Sequence, residues 1–238
     1  MDSADASDNE SGLKQGQAVQ YYDELAERYD HDRFGNSYGA YVDAQERQLL
    51  RRWLAPIGNG QILDLACGTG RLLDLATQGL DASASMVRVA RSKHPTKQIH
   101  CGPGAELAKL GICFDAIFCL HLFMHLSSGE IEGLFRVCLD QLQPRGLFIF
   151  DVPTALRRRL TGFQPGGWHG GTALSCAEVR TLAGAGWRHR TDRGVLFFPM
   201  HRLASRVRPA FRRVDDLIGM TPLKALSSYT VYCLEKEP

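Results

Sequence analysis

No apolar run in this 238-residue chain approaches the roughly 18 residues a membrane-spanning helix needs, so none is expected. No block repeats at a solenoid-like period, which excludes a repeat architecture. The seven cysteines are odd in number and none stands in a C-x-x-C pair. That excludes a disulfide framework and a zinc ribbon, and the expectation is reduced core cysteines and a cytoplasmic protein. The opening MDSADASDNESG has no basic stretch followed by an apolar one. No secretory signal is therefore expected, and residues 1–16 read as a disordered tail. Acids are scarce in one region: between Arg157 and Arg213 stand twelve Arg, no Lys, and only Glu178 and Asp192, a charge of +10. With +2 for the whole chain, the remainder carries −8.

What is present suits one globular domain. The chain is 44% hydrophobic and 23% charged, long enough to bury a core without disulfide or metal. Val19, Tyr22, Leu25, Ala26 and Tyr29, then Tyr41, Ala44, Leu49, Leu50 and Trp53, recur at helical spacing, so residues 17–56 read as a helical cap. Gln61–Ala66, Gly79–Ala82, Phe114–Leu120, Leu147–Val152, Trp187–Thr191 and Tyr229–Leu234 read as strands. Arg71–Thr77, Ser85–Lys93, Ser128–Leu142 and Ser175–Ala183 read as helices between them. This alternation predicts an open α/β sheet with helices on both faces, whose ligand binds at the carboxyl ends of the strands. Residues 61–152 form its first half and 153–238 its second, with a basic amphipathic helical insertion over 194–227.

The sharpest local feature is ILDLACGTGR, Ile62–Arg71, where a buried strand runs into Gly68-Thr69-Gly70. Glycines there let the backbone turn tightly and approach a ligand. The dinucleotide fingerprint wants a further glycine where Leu73 stands, and a P-loop wants G-K-[ST], so both are excluded. Asp81 closes the next short strand, where its carboxylate can accept two ribose hydroxyls.

Asp64–Gly70 (DLACGTG), Gly79–Ser83 with Met86-Val87, Phe114–Ile117 (FDAI) and Leu139–Phe150 (LDQLQPRGLFIF), taken in order, resemble the class I, Rossmann-like S-adenosylmethionine-dependent methyltransferases. Tyr22-Asp23 and Tyr29-Asp30 resemble the cap helix of the subfamily that includes quinone-biosynthesis enzymes. The resemblance implies a mostly parallel seven-stranded sheet with an antiparallel last strand. It also implies S-adenosyl-L-methionine as cofactor. Asp64, Ala66, Gly68 and Gly70 would then line its methionine end, Asp81 hold the ribose, and Met86, Ala105 and Glu106 flank the adenine. Leu120 would touch it through its backbone, and Tyr22 and Tyr29 from the cap. Two departures stand out. Gly104 replaces the family's usual aspartate, and only ten residues separate Gly70 from Asp81.

A hydroxyl acceptor needs a general base, and histidine is the side chain suited to neutral pH. His121 and His125 follow the strand Phe114–Leu120, and His169 lies in the glycine-rich loop Pro165–Gly171. The His121 and His125 pair comes with no acidic metal ligand in its motif, so no metal is expected. The expected reaction is methyl transfer to a small-molecule acceptor, at a hydroxyl of a biosynthetic intermediate. The Arg-rich 157–213 region leaves a second reading, an anionic or membrane-associated acceptor such as a lipid-linked glycan or RNA. Few aromatics interleave with its arginines, so nucleic acid is the weakest of these. A third reading is a cofactor-binding module without activity.

Overall fold

The computed structural model describes residues 16–164, 170–200, 203–204 and 206–238. The tail expected over 1–16 lies outside these except for Gly16, and so do His169 and most of its loop. Seven strands form one sheet: β1 (Ile62–Leu65), β2 (Gln78–Asp81), β3 (Gln98–Cys101), β4 (Phe114–Cys119), β5 (Leu142–Pro153), β6 (Trp187–Val195) and β7 (Tyr229–Lys236). Their spatial order is β3-β2-β1-β4-β5-β7-β6. β1 to β5 pair in parallel, and β7 runs antiparallel between β5 and β6. The fold is thus the expected α/β one. The order reverses between β1 and β4, which opens a crevice at their carboxyl ends.

Strand alternation sorts the core onto two faces. Phe148 and Phe150 of β5, with Ile117 of β4, point to one face, and Leu147 and Ile149 to the other. On the first face Phe123 stacks on Phe150 at 4.6 Å between centroids, while Phe135 meets Phe148 and Phe150 edge-on. Helices α5 (Ser128–Gln141) and α7 (Cys176–Ala183) cover it, each started by a capping box, Ser127 with Glu130 and Ser175 with Glu178. The opposite face is covered by α4 (Ala84–Lys93) and by α3 (Ser37–Leu54) of the cap, which buries Leu50, Trp53 and Leu54. The cap also contains α1 (residues 16–25) and α2 (Tyr29–Phe34). Short α6 (Ala155–Thr161) follows β5.

Several boundaries differ from the sequence reading. Strand β3 was missed, because Gln98–Cys101 has one buried residue and lies at the sheet edge. The expected helix Arg71–Thr77 is a single 3₁₀ turn, Leu73–Leu75, since too few residues link β1 to β2 for a full helix. Within the insertion expected over 194–227, β6 runs through Val195, and the helical elements described are α8 (Arg208–Ile218) and the 3₁₀ turn Pro222–Leu226.

Helix α8 docks on α3 through a buried carboxylate. Asp215 is fully buried and accepts from the Tyr41 hydroxyl at 2.7 Å, the Phe197 amide at 2.8 Å and the Gln45 amide nitrogen at 3.4 Å. Burial without an opposing cation pushes its pKa up, and these donors hold it in place. Removing one donor while the carboxylate stays buried costs about 1–3 kcal/mol. Tyr41→Phe should therefore lower the melting temperature by roughly 2–4 °C per kcal/mol lost. A urea titration of the two proteins measures this, and a difference under about 0.5 kcal/mol would show that Asp215 is not what anchors α8.

Candidate active site

The crevice is built on the glycine turn. Ala66, Gly68 and Gly70 have φ of +59°, +53° and +79°, so the chain leaves β1 through three left-handed residues. Gly68 lines the cleft, and its positive φ is what favours glycine there, since a Cβ would meet nothing within 4 Å. Gly70 must lack a side chain for packing, since a Cβ would lie 2.9 Å from Leu73 and 3.0 Å from His94. Asp81 holds the turn to β2. Its two carboxylate oxygens accept from the amides of Gly68, at 2.7 Å, and Ser83, at 2.8 Å. Burial raises its pKa, against these hydrogen bonds.

The cap is tied to this turn by charge. Arg71, buried under the Phe34 ring at 4.0 Å, donates to Asp43 and, at 2.7 Å, to Glu46. Thr69 and Lys93 both reach Asp30. Asp23 accepts from the Ser83 hydroxyl and, at 3.0 Å, from the Ser85 amide.

The other wall comes from β4 and β5. His121 follows Leu120 at φ +63°, a conformation fixed by Asp151, whose Oδ1 accepts the His121 amide at 2.6 Å. Asp151 Oδ2 lies 3.5 Å from His121 Nδ1, and Glu46 Oε1 lies 2.7 Å from Nε2. The Nε2 contact is an ion pair without an aligned hydrogen bond, and this buried nitrogen has no other partner among the described residues. The Tyr229 ring closes over the imidazole edge-on at 5.8 Å. Burial alone would depress the imidazole pKa, but Glu46 and Asp151 outweigh it and raise it to about 8. Burial likewise opposes ionisation of Glu46, yet His121 and Arg71 hold its carboxyl down to about 2.

Tyr29, Asp64, Ala66, Gly68, Leu120 and His121 all line the cleft between these walls. The remaining expected site residues stand elsewhere. Met86 is buried within the first turn of α4, and Ala105 and Glu106 lie exposed on the turn Gly104–Leu110, with Glu106 paired to Lys109 at 2.7 Å. Tyr22 contacts His125 Nε2 at 3.0 Å through its hydroxyl, and Tyr21 accepts from Arg33. His121 and His125 share no helical face, because the chain kinks at His121 and His125 ends the 3₁₀ turn Phe123–His125. Their side chains part, one to Glu46 and Asp151, the other to Tyr22.

Sequence reasoning missed Arg71, Glu46 and Asp151. The signal for Asp151 was an acid closing the apolar run LFIFDV. For Glu46 it was an acid on the buried stripe of α3, beside Val42 and Leu50.

Charge decides what the cleft can hold. Glu46, Asp64 and Asp151 are buried and Asp81 half-buried around it or in its wall, against the cations Arg71 and His121. Burial pushes Asp64 well above the ordinary carboxylate pKa. A cationic ligand relieves that excess, and the open space at Gly68 admits one. S-adenosylmethionine, a sulfonium bearing an ammonium group, fits on both counts. Among the described residues no group of three His, Cys, Asp or Glu side chains could hold a metal.

Two outcomes are expected. Gly68→Ala should cost about 1–2 kcal/mol of stability, the price of a left-handed alanine, and weaken ligand binding more than that, because the methyl enters the cleft. Urea unfolding and calorimetric titration with S-adenosylhomocysteine separate the two effects. The second concerns pH. His121 titrates at about 8 folded against 6.5 unfolded, so its ion pairs stabilise fully below pH 6.5 and fade as pH rises through 8. Wild type should exceed His121→Gln by up to about 2 kcal/mol at pH 6, and by little at pH 9. An equal gap at both pH values would mean that His121 is not charged in the fold.

The comparisons with known proteins meet this geometry. Residues 62–146 match a family described as a methyltransferase domain. The chain is 31% identical over 229 residues to the dTDP-3-amino-3,6-dideoxy-alpha-D-glucopyranose N,N-dimethyltransferase of Streptomyces fradiae, covering 89% of each. Among solved structures, the CcbJ methyltransferase of Streptomyces caelestis superposes with a TM-score of 0.66 at 18% identity, over 92% of this chain and 98% of that one. The magnesium protoporphyrin IX methyltransferase of Synechocystis PCC 6803, solved with bound S-adenosylhomocysteine, gives 0.63 at 16%, over 94% and 100%. Sheet order, glycine turn, cation-hungry cleft and a relative matched over 89% of each chain agree, and the chain belongs to the class I S-adenosylmethionine-dependent methyltransferases.

Proposed function

We propose that this enzyme methylates an amino group of a small polar acceptor of the amino-sugar type, with His121 as the general base. One observation carries the reading: the half-buried His121 imidazole lines the cleft with its Nε2 in no aligned hydrogen bond, and two carboxylates raise its basicity. When bound, S-adenosylmethionine supplies an electrophilic methyl carbon on its sulfonium. The glycine turn and Asp81 would hold its ribose and methionine ends, with Tyr29 and Leu120 closing over it.

The acceptor must present a lone pair, and the protein's part is to align it and take the proton. An alkylammonium, with a pKa of about 10, gives its proton to a base near 8 at a modest cost. A sugar hydroxyl is a far weaker acid, which favours nitrogen over the hydroxyl expected from sequence. The relative with an amino-sugar acceptor supports the same choice.

The large-acceptor reading loses support from how the arginines are used. Arg157 donates to the carbonyls of Phe197 and Leu226, Arg158 to that of Thr172, and Arg212 to Gln48. Arg188 and Arg190 pair with Glu235. Among the described residues no helix is long and apolar enough to cross a membrane.

With S-adenosylhomocysteine at a hundredfold excess over its dissociation constant, linkage adds about 2.7 kcal/mol, a thermal shift of about 5–10 °C. Asp81→Ala should abolish the shift. Methyl-labelled cofactor should then label dTDP-3-amino-3,6-dideoxyglucose and spare its 3-hydroxy analogue. Label in the hydroxy analogue alone would restore the oxygen acceptor.

A further inference from the structure

His121 does not stand alone: it belongs to a continuous chain of alternating charge, Asp43–Arg71–Glu46–His121–Asp151. The chain joins four separate parts of the fold: the cap helix α3, the glycine turn, the end of β4 and the end of β5. Glu46 is divided between two cations, with Oε2 on Arg71 and Oε1 on His121, both at 2.7 Å. Asp151 grips His121 twice, at its amide and near Nδ1.

Resting on the reading of His121 as base, we propose that Glu46 and Asp151 are its positioning residues. Asp151 locks the left-handed turn that aims the ring, and Glu46, delivered by the cap, sets the proton affinity of the imidazole from 2.7 Å away at Nε2. A left-handed histidine is strained and persists only where its surroundings hold it. Here the hold is a carboxylate on its own amide, within a segment that has no helix to orient the ring. The groups facing the imidazole are Glu46 from α3, Asp151 from β5, Arg71 from the glycine turn and Tyr229 from β7. Two are anionic and one is cationic, so each carboxylate favours the protonated ring, and removal of either makes it less basic. Arg71 does not strip Glu46 from His121, because Asp43 takes one of its nitrogens and Glu46 keeps one oxygen for each cation.

The test uses the full chain with labelled histidine and no acceptor. The His121 imidazole signal is titrated by NMR in wild type, Glu46→Gln, Glu46→Asp and Asp151→Asn, with His121→Gln giving the assignment. Wild type should titrate near 8. Glu46→Gln and Asp151→Asn should each fall by about one pH unit or more, and Glu46→Asp should recover part of the loss. Thermal melts identify any variant that fails to fold, and the remaining variants decide the matter. An unmoved titration in folded Glu46→Gln and Asp151→Asn overturns the inference. A second arm follows kcat/KM against pH for methyl transfer to dTDP-3-amino-3,6-dideoxyglucose. Its rising limb should move to lower pH in Glu46→Gln together with the NMR titration. A titration that moves while the wild-type rate shows no such limb keeps the two carboxylates as partners of His121 and overturns their role in catalysis. The failure then lies in His121 as base.

Discussion

Arg71 is the pivot of the structure. It stands one residue past the glycine turn, and its guanidinium lies buried between the Phe34 ring and the carboxylates of Asp43 and Glu46. Taking a guanidinium out of water is costly unless its donors are met. The site meets them with acids from α3, and that requirement fixes where the cap sits. The cap in turn brings Glu46 to His121. A cleft wall, a cap orientation and the charge of an imidazole thus follow from one buried cation. Replacing any member leaves an unpaired charge behind, so the arrangement acts as a unit.

The sheet was legible because its strands carry unmistakable patterns. LFIFDV is apolar on both sides, as a central parallel strand must be, and ILDL runs straight into its glycines. The cleft was legible where backbone chemistry writes itself into sequence, at Gly68, Gly70 and Asp81. The positions of Glu46 and Asp151 were not, because nothing local says that an acid in a cap helix and an acid ending a strand will meet the same histidine. That meeting is tertiary. His121 and His125 make the same point: four residues apart, they would be neighbours on a helix, but the left-handed turn at His121 sends them apart. The missed β3 lies at the edge, where a single buried residue leaves little pattern to read.

Part of the charge asymmetry of the second half is spent inside the fold. Arg157 and Arg158 cap carbonyls, Arg188 and Arg190 pair with buried Glu235, and α8 is held to α3 by hydrogen bonds around Asp215. Guanidinium suits this work, since its several donors can meet two carbonyls at once, as Arg157 does with Phe197 and Leu226.

The cap is divided in how it is rooted. Along residues 16–36 only Ala26 is buried, and the segment meets the rim through polar contacts at Tyr22, Asp23 and Asp30. Helix α3 is instead planted in the core by Leu50, Trp53 and Leu54. The first two helices thus have the least apolar anchorage of the cap and are held chiefly by polar contacts, whereas Glu46 stands on the helix planted in the core, so the carboxylate beside the imidazole belongs to the best-anchored part of the cap.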